Sequence, residues 1–187
     1  MCSHRKVNKG NYKLKLVVDL DDTLVSSTQL NNDAYNFALE EFGYDRIVTD
    51  KRITRELISG FSNLDKIISL KQQYFTQDWL PYRLVLNYAL IEKLKTNKRQ
   101  NCYLWTKADN KRTNAILDLC NLRQYFCDII FDKKENFTKS TNLLKQHTNT
   151  QNFVIYENNF KFFVGQNVKL IDTIKNNKFN VNGYLVL

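Results

Sequence analysis

The chain has 187 residues and a mass of 22.2 kDa, with 43% hydrophobic and 13% aromatic side chains. That is enough for one compact domain with a small insert, and too apolar for a disordered chain. Five Gly and one Pro exclude collagen-like or Pro/Gly-rich low-complexity structure. Lys and Arg number 28 against 19 Asp and Glu, a net charge of +9 that favours acidic partners such as phosphorylated substrates or nucleic acid. The charge is scattered along the chain rather than gathered into one run. No stretch approaches the ~18 apolar residues of a membrane helix. The basic segment 1–13 lacks the apolar core of a signal peptide. The expectation is therefore an intracellular protein without a membrane partner. Cys2, Cys102, Cys120 and Cys127 form no CxxC pair, and His4 and His147 are the only histidines, so a Cys/His zinc site is not expected. The last three cysteines lie in apolar runs and read as buried free thiols in a reducing compartment.

In chain order, Leu14 to Val18 is apolar and β-branched, a buried strand that ends in Asp19-Leu20-Asp21-Asp22-Thr23. Three carboxylates at a strand end are costly unless a positive group sits among them. Residues 31–42 carry apolar side chains at helical spacing and close on Gly43. Short helices are expected over 50–59 and 63–75, giving a helical block over 26–79. A helix from Pro81 to Lys95 follows, then a strand over Cys102 to Trp105 ending at Thr106. Helices over 109–121 and 139–147 alternate with strands at 128–131 and 153–156, the latter ending at Glu157. Strands at 168–171 and 184–187 complete the pattern. Such alternation predicts a parallel sheet, whose ligands bind at the carboxyl ends of the strands. Those ends carry Asp19, Asp21, Thr106 and Glu157.

These motifs are similar to those of the haloacid dehalogenase (HAD) superfamily. Val17-Val18-Asp19-Leu20-Asp21-Asp22-Thr23 resembles motif I, an apolar strand followed by Asp-x-Asp-x-Thr. Leu104-Trp105-Thr106 resembles motif II, Lys139 the motif III lysine, and Val154-Ile155-Tyr156-Glu157-Asn158 occupies the place of motif IV. Lys139 is preferred over Lys133 and Lys134. Motif IV departs from the family pattern, with Glu157 in place of the usual Asp and Asn158 in place of a possible second acid. The resemblance implies a three-layer Rossmann-like α/β core built from 14–25 and 80–187, a parallel sheet, and a small helical cap inserted over 26–79. Asp19–Val25 and Tyr103–Thr106 resemble more narrowly the phosphatases of the RNA polymerase II C-terminal domain and their virus-encoded relatives, among them a baculovirus nucleocapsid-assembly protein.

The residues suit phosphoryl transfer on chemical grounds. A carboxylate such as Asp19 can attack phosphorus and hold the phosphoryl group. Asp21, two residues on, faces the same side of an extended chain and can serve as acid and base. Thr106 and Lys139 would bind and neutralise the phosphoryl oxygens, and Thr23 would orient Asp21. Mg²⁺ takes oxygen ligands, and Asp19, the Asp21 carbonyl, and Glu157 or Asn158 would supply them. Three functions follow: a Mg²⁺-dependent phosphatase for a phosphoprotein or small phosphoester, a phosphatase for nucleotides or nucleic-acid ends, or a catalytically weak domain used in assembly. Nucleic acid would be held through 93–99 and 107–112.

Overall fold

A computed structural model describes residues 14–74, 84–176 and 178–187. Four parallel strands form its centre: β1 (Lys15–Val18), β4 (Cys102–Thr106), β5 (Asp128–Phe131) and β6 (Phe153–Glu157). β2 (Val25–Ser26) and β3 (Val85–Leu86) make a separate antiparallel pair. β7 (Val168–Lys175) and β8 (Asn180–Val186) extend the main sheet, in the order β5-β4-β1-β6-β8-β7. The parallel expectation fails for these last strands: β8 runs antiparallel to both β6 and β7. Short apolar runs specify a strand but not its direction, and a tight return after β7 permits only an antiparallel neighbour.

The central strands alternate between two cores, as both faces of a covered parallel sheet require. Leu16, Val18, Cys102, Leu104, Val154 and Tyr156 belong to one core. Val17, Tyr103, Trp105, Phe153 and Ile155 belong to the other. The first core is closed by α1 (Thr28–Glu41), α3 (Tyr88–Lys95) and α4 (Asn110–Leu119). The second is closed by α5 (Phe137–Thr148) with Phe162 and Phe163. The result is the three-layer α/β core expected.

The insert has its own small core of Tyr35, Ala38, Leu39, Ile53, Ile58 and Ile67, packed between α1 and α2 (Leu64–Tyr74). The helix expected over 50–59 is absent; that stretch is irregular and turned. Its backbone is satisfied by asparagines on α1 instead. Asn32 donates to the Lys51 carbonyl (2.7 Å) and accepts from the Ile53 amide (2.8 Å). Asn31 donates to the Ile53 carbonyl (2.9 Å), and Asn36 brackets Ile47. Buried backbone groups must be paired, and these side chains do it without a helix. They also fix where Arg52 lies.

The helix expected from Pro81 begins later. Pro81 lies outside the described residues, Val85–Leu86 is a strand, and α3 starts at Tyr88 behind Asn87. Asn87 caps α3 by accepting from Leu90 and donates to the Thr23 carbonyl (2.9 Å). Of the cysteines, Cys102 is buried as expected, but Cys120 is only half-buried and Cys127 is exposed. Among the described residues no helix is long and apolar enough to cross a membrane.

Core position and sheet edge should respond differently to truncation. Ile155→Ala, at a fully buried central-strand position, should cost about 2–5 kcal/mol in denaturant unfolding. Leu170→Ala, 52% exposed on β7, should change stability by no more than ~0.5 kcal/mol.

Candidate active site

Register brings the strand ends together. Val18 lies opposite Leu104 on one side and Tyr156 on the other, so Asp19 emerges level with Glu157. The Asp19 amide donates to the Tyr156 carbonyl (3.0 Å). Both carboxyl side chains are buried, Asp19 at 6% and Glu157 at 3% exposure. Between them lies the ammonium of Lys134, 2.5 Å from Asp19 Oδ1 and 2.8 Å from Glu157 Oε2. Glu157 Oε1 accepts from the amides of Asn158 and Asn159, both at 3.1 Å.

Lys134 is not the lysine expected. Lys139 lies exposed in the first turn of α5, where its amide is capped by Asn136. Lys134 instead follows β5 directly, at the same edge of the sheet as Asp19 and Glu157. Its backbone is left-handed, φ 53°, a conformation uncommon for a residue other than glycine. Asp132 stabilises that turn, accepting from the Lys134 amide (3.1 Å) and the Trp105 indole (3.0 Å). The Lys134 ammonium also lies 3.9 Å from the centroid of the Trp105 ring. The available signal was position: Lys133 and Lys134 stand at a strand's carboxyl end, as Asp19 and Glu157 do.

Electrostatics follow from this burial. Desolvation pushes the Asp19 carboxyl up to about 7, with Lys134 opposing and Glu157 adding to the shift. Burial works against the Lys134 ammonium, but Asp19 and Glu157 outweigh it and hold its pKa above the ordinary lysine value. Burial likewise opposes the charge on Asp21, yet Arg112 and Arg52, with the Ser27 hydroxyl, hold its carboxyl below the ordinary value.

Asp21 is thus an ionised partner of two arginines. It pairs closely with Arg112, accepts from Ser27 Oγ (2.6 Å) and lies 3.6 Å from Arg52. Asp22, at φ 58°, accepts from the Ser27 amide (3.2 Å) and from Arg52 (3.2 Å). Sequence reasoning connects neither arginine with Asp21: Arg52 is not singled out, and Arg112 is considered only within the stretch 107–112 for nucleic acid. Thr23 does not orient Asp21; its hydroxyl accepts from the Asn158 amide (3.1 Å). Thr106 is fully buried and accepts from the Ala108 amide (3.0 Å). Lys107 and Ala108, which follow it, line the adjoining pocket.

These groups surround a pocket of about 330 Å³ that includes Asp19, Arg52, Arg112, Lys134, Glu157 and Asn158. Among the described residues no group of three or more Asp, Glu, His or Cys side chains could hold a metal. Mg²⁺ does not need such a cage. It is commonly bound by one or two carboxylates together with substrate phosphate oxygens and water. Asp19, Glu157 and Asn158 line this pocket and offer the oxygen donors of that smaller set, with Asp19 Oδ1 and Glu157 Oε2 bonded to Lys134.

The two stretches considered for nucleic acid are partly committed elsewhere. Lys93 pairs with Asp172 (2.8 Å), Arg99 donates to the Phe126 carbonyl (2.9 Å), and Arg112 is buried against Asp21.

Removing Lys134 leaves two buried carboxylates side by side. Lys134→Met should cost about 3–5 kcal/mol at neutral pH. A carboxyl whose pKa is raised on folding loses stability as pH rises, so the deficit should grow above pH 7 and shrink on acidification. Lys139→Ala should change unfolding by no more than ~0.5 kcal/mol. Urea titrations at several pH values check both.

No protein-family model matches the chain, and neither does any curated protein. Solved structures do. A HAD-superfamily hydrolase of subfamily IA from Geobacter sulfurreducens aligns over 72% of this chain and 74% of its own, at 17% identity and a TM-score of 0.53. CbbY from Rhodobacter sphaeroides, solved with phosphate, aligns over 73% of this chain and 72% of its own, at 16% identity and a TM-score of 0.56. A predicted phosphoglycolate phosphatase from Haemophilus somnus aligns over 71% of each chain, at 16% identity and a TM-score of 0.56. At these identities the likeness is one of architecture: the chain has the Rossmann-like fold of the HAD hydrolases.

Proposed function

We propose that the chain is a HAD-type phosphatase that hydrolyses small phosphate monoesters by way of a phosphoryl group carried on Asp19. The observation that carries this reading is the buried Asp19 carboxylate, paired with Lys134 and opening on a pocket that also holds Arg52, Lys107 and Arg112. Cations around a nucleophilic carboxylate are what an incoming phosphate dianion requires.

In the first step an Asp19 oxygen attacks phosphorus as the ester P–O bond breaks, and the electron pair leaves with the alcohol oxygen. Lys134 stabilises the charge shared between Asp19 and the transferred group. Bound at Asp19, Glu157 and Asn158, Mg²⁺ would add positive charge at the phosphoryl oxygens. In the second step water attacks the aspartyl phosphate, Asp21 accepts its proton, and phosphate leaves as the Asp19–phosphorus bond breaks. Arg112 and Arg52 keep Asp21 ionised, so it can accept that proton, but the same stabilisation makes it a weak base. For the same reason it is poorly suited to protonate the leaving alcohol in the first. Substrates with acidic leaving groups are therefore favoured.

Substrate size is limited by the insert. Arg52 reaches from it to within 3.2 Å of Asp22 and 3.6 Å of Asp21, so the insert stands over the pocket. That supports a small phosphoester over a phosphoprotein and weighs against the C-terminal-domain phosphatase reading, which rests on the strings 19–25 and 103–106. A weakly catalytic domain used in assembly is the second reading. It is favoured by the ionised state of Asp21 and by the single acid at motif IV.

Steady-state hydrolysis of an aryl phosphate tests the proposal. Activity should require Mg²⁺ and fall at least ~10³-fold in Asp19→Asn. Asp19 must be ionised to attack, so kcat/KM should fall as acidification protonates it. Alkyl phosphates should react ~10²-fold more slowly than aryl phosphates, for want of a protonated acid. Hydrolysis that survives Asp19→Asn would remove the proposal, and inactivity toward every ester would leave the assembly reading.

A further inference from the structure

A second cleft, of about 550 Å³, lies beside the first. Arg55 and Lys71 come to it from the insert; Lys107, Arg112 and Lys133 come from the core. Among the described residues, Asp109 and Glu135 are the acids that line it, beside five cations, of which Arg112 is already paired with Asp21. Asp109 is already committed as the cap of α4, accepting from the Arg112 amide (2.9 Å).

On the insert side Lys71 is held in place, whereas Arg55 is exposed. Lys71 is 9% exposed, and its ammonium lies 4.9 Å from the centroid of the Tyr35 ring. Burial, with the charges of Arg112 and Arg52, lowers the Lys71 ammonium to about 7. A second anion entering the cleft would meet Lys71, Arg55, Lys107 and Lys133 together. The two clefts share Lys107, Ala108 and Arg112, so they form one continuous trough.

We infer that the second cleft is the subsite for a second anionic group, a phosphate or a carboxylate, on the same small phosphoester whose phosphoryl group meets Asp19. Resting on the phosphatase reading, the inference names its substrate class: a molecule with anionic groups at both ends. Arg112 and Lys107 lie between the two subsites. Lys71, Arg55 and Lys133 recognise the distal charge.

Calorimetric titration of the full chain without added metal, where turnover does not consume ligand, tests this directly. The probes are hexyl phosphate, with one anionic end, and hexane-1,6-diol bisphosphate, with two. The bisphosphate should bind at least ~10-fold more tightly, as one or two charge-assisted hydrogen bonds would give. In Lys133→Ala, an exposed position whose loss does not threaten folding, and in Lys71→Met, the preference should shrink to about threefold or less. Affinity for hexyl phosphate should stay within about twofold. Equal affinities in the wild type, or a preference that persists in the Lys71→Met/Lys133→Ala double variant, would overturn the inference. Failure of the phosphatase reading shows elsewhere, in hydrolysis that survives Asp19→Asn, and would leave an intact bisphosphate preference standing as an anion site.

Discussion

A single ammonium group, that of Lys134, lies buried between two buried carboxylates, and the site is organised by what those three charges need. Isolated, each would cost several kcal/mol to remove from water. Together they leave one net negative charge, shared between Asp19 and Glu157. The other oxygen of Glu157 accepts from two backbone amides, and the ammonium rests on Trp105. Reaching that point forces Lys134 into a left-handed conformation, which Asp132 stabilises by bonding both Lys134 and Trp105. The loop after β5 and the end of β4 are thereby tied to the nucleophile at the end of β1.

The second organising pair is Arg52 and Arg112 on Asp21. They join the two parts of the chain: Arg112 opens α4 of the core, and Arg52 belongs to the insert. Arg52 is in reach only because asparagines on α1 hold the irregular stretch 47–53 by its backbone. The chemistry inherits a bias from this packing. An aspartate held in its ionised form by two arginines is a weak base, and it carries no proton to give as an acid. The same cations extend away from Asp19 into the second cleft, so the features that restrict Asp21 also provide a path of positive charge for a longer anionic substrate.

Much of this was legible in the sequence where a single local rule decides the outcome. An apolar strand followed by Asp19-x-Asp21 announces a strand-end site, and Glu157 falls at the next strand end for the same reason. The alternation of strands and helices gives the parallel core. Local rules fail where the decisive contact is distant. Lys139 is favoured by its place at a helix start, yet a single left-handed residue carries Lys134 into the site instead. Arg52 and Arg112 are 60 positions apart in a chain whose folding alone brings them to one carboxylate. The helix expected over 50–59 is displaced by asparagine side chains of α1, which satisfy the same backbone groups from another element. Thr23 and Thr106 stand where motif logic puts them, but their hydroxyls serve the loops at Asn158 and Ala108.

The account turns on Asp19 being a carboxyl raised by burial and restrained by Lys134. Carbon-13 NMR of the aspartate carboxyl groups, assigned by comparison with Asp19→Asn, measures that directly as a function of pH. The account predicts a midpoint near 7 for Asp19 in the wild type, and a higher one when Lys134→Met removes the opposing charge. A midpoint near the ordinary aspartate value of about 4, unchanged by loss of Lys134, would contradict it.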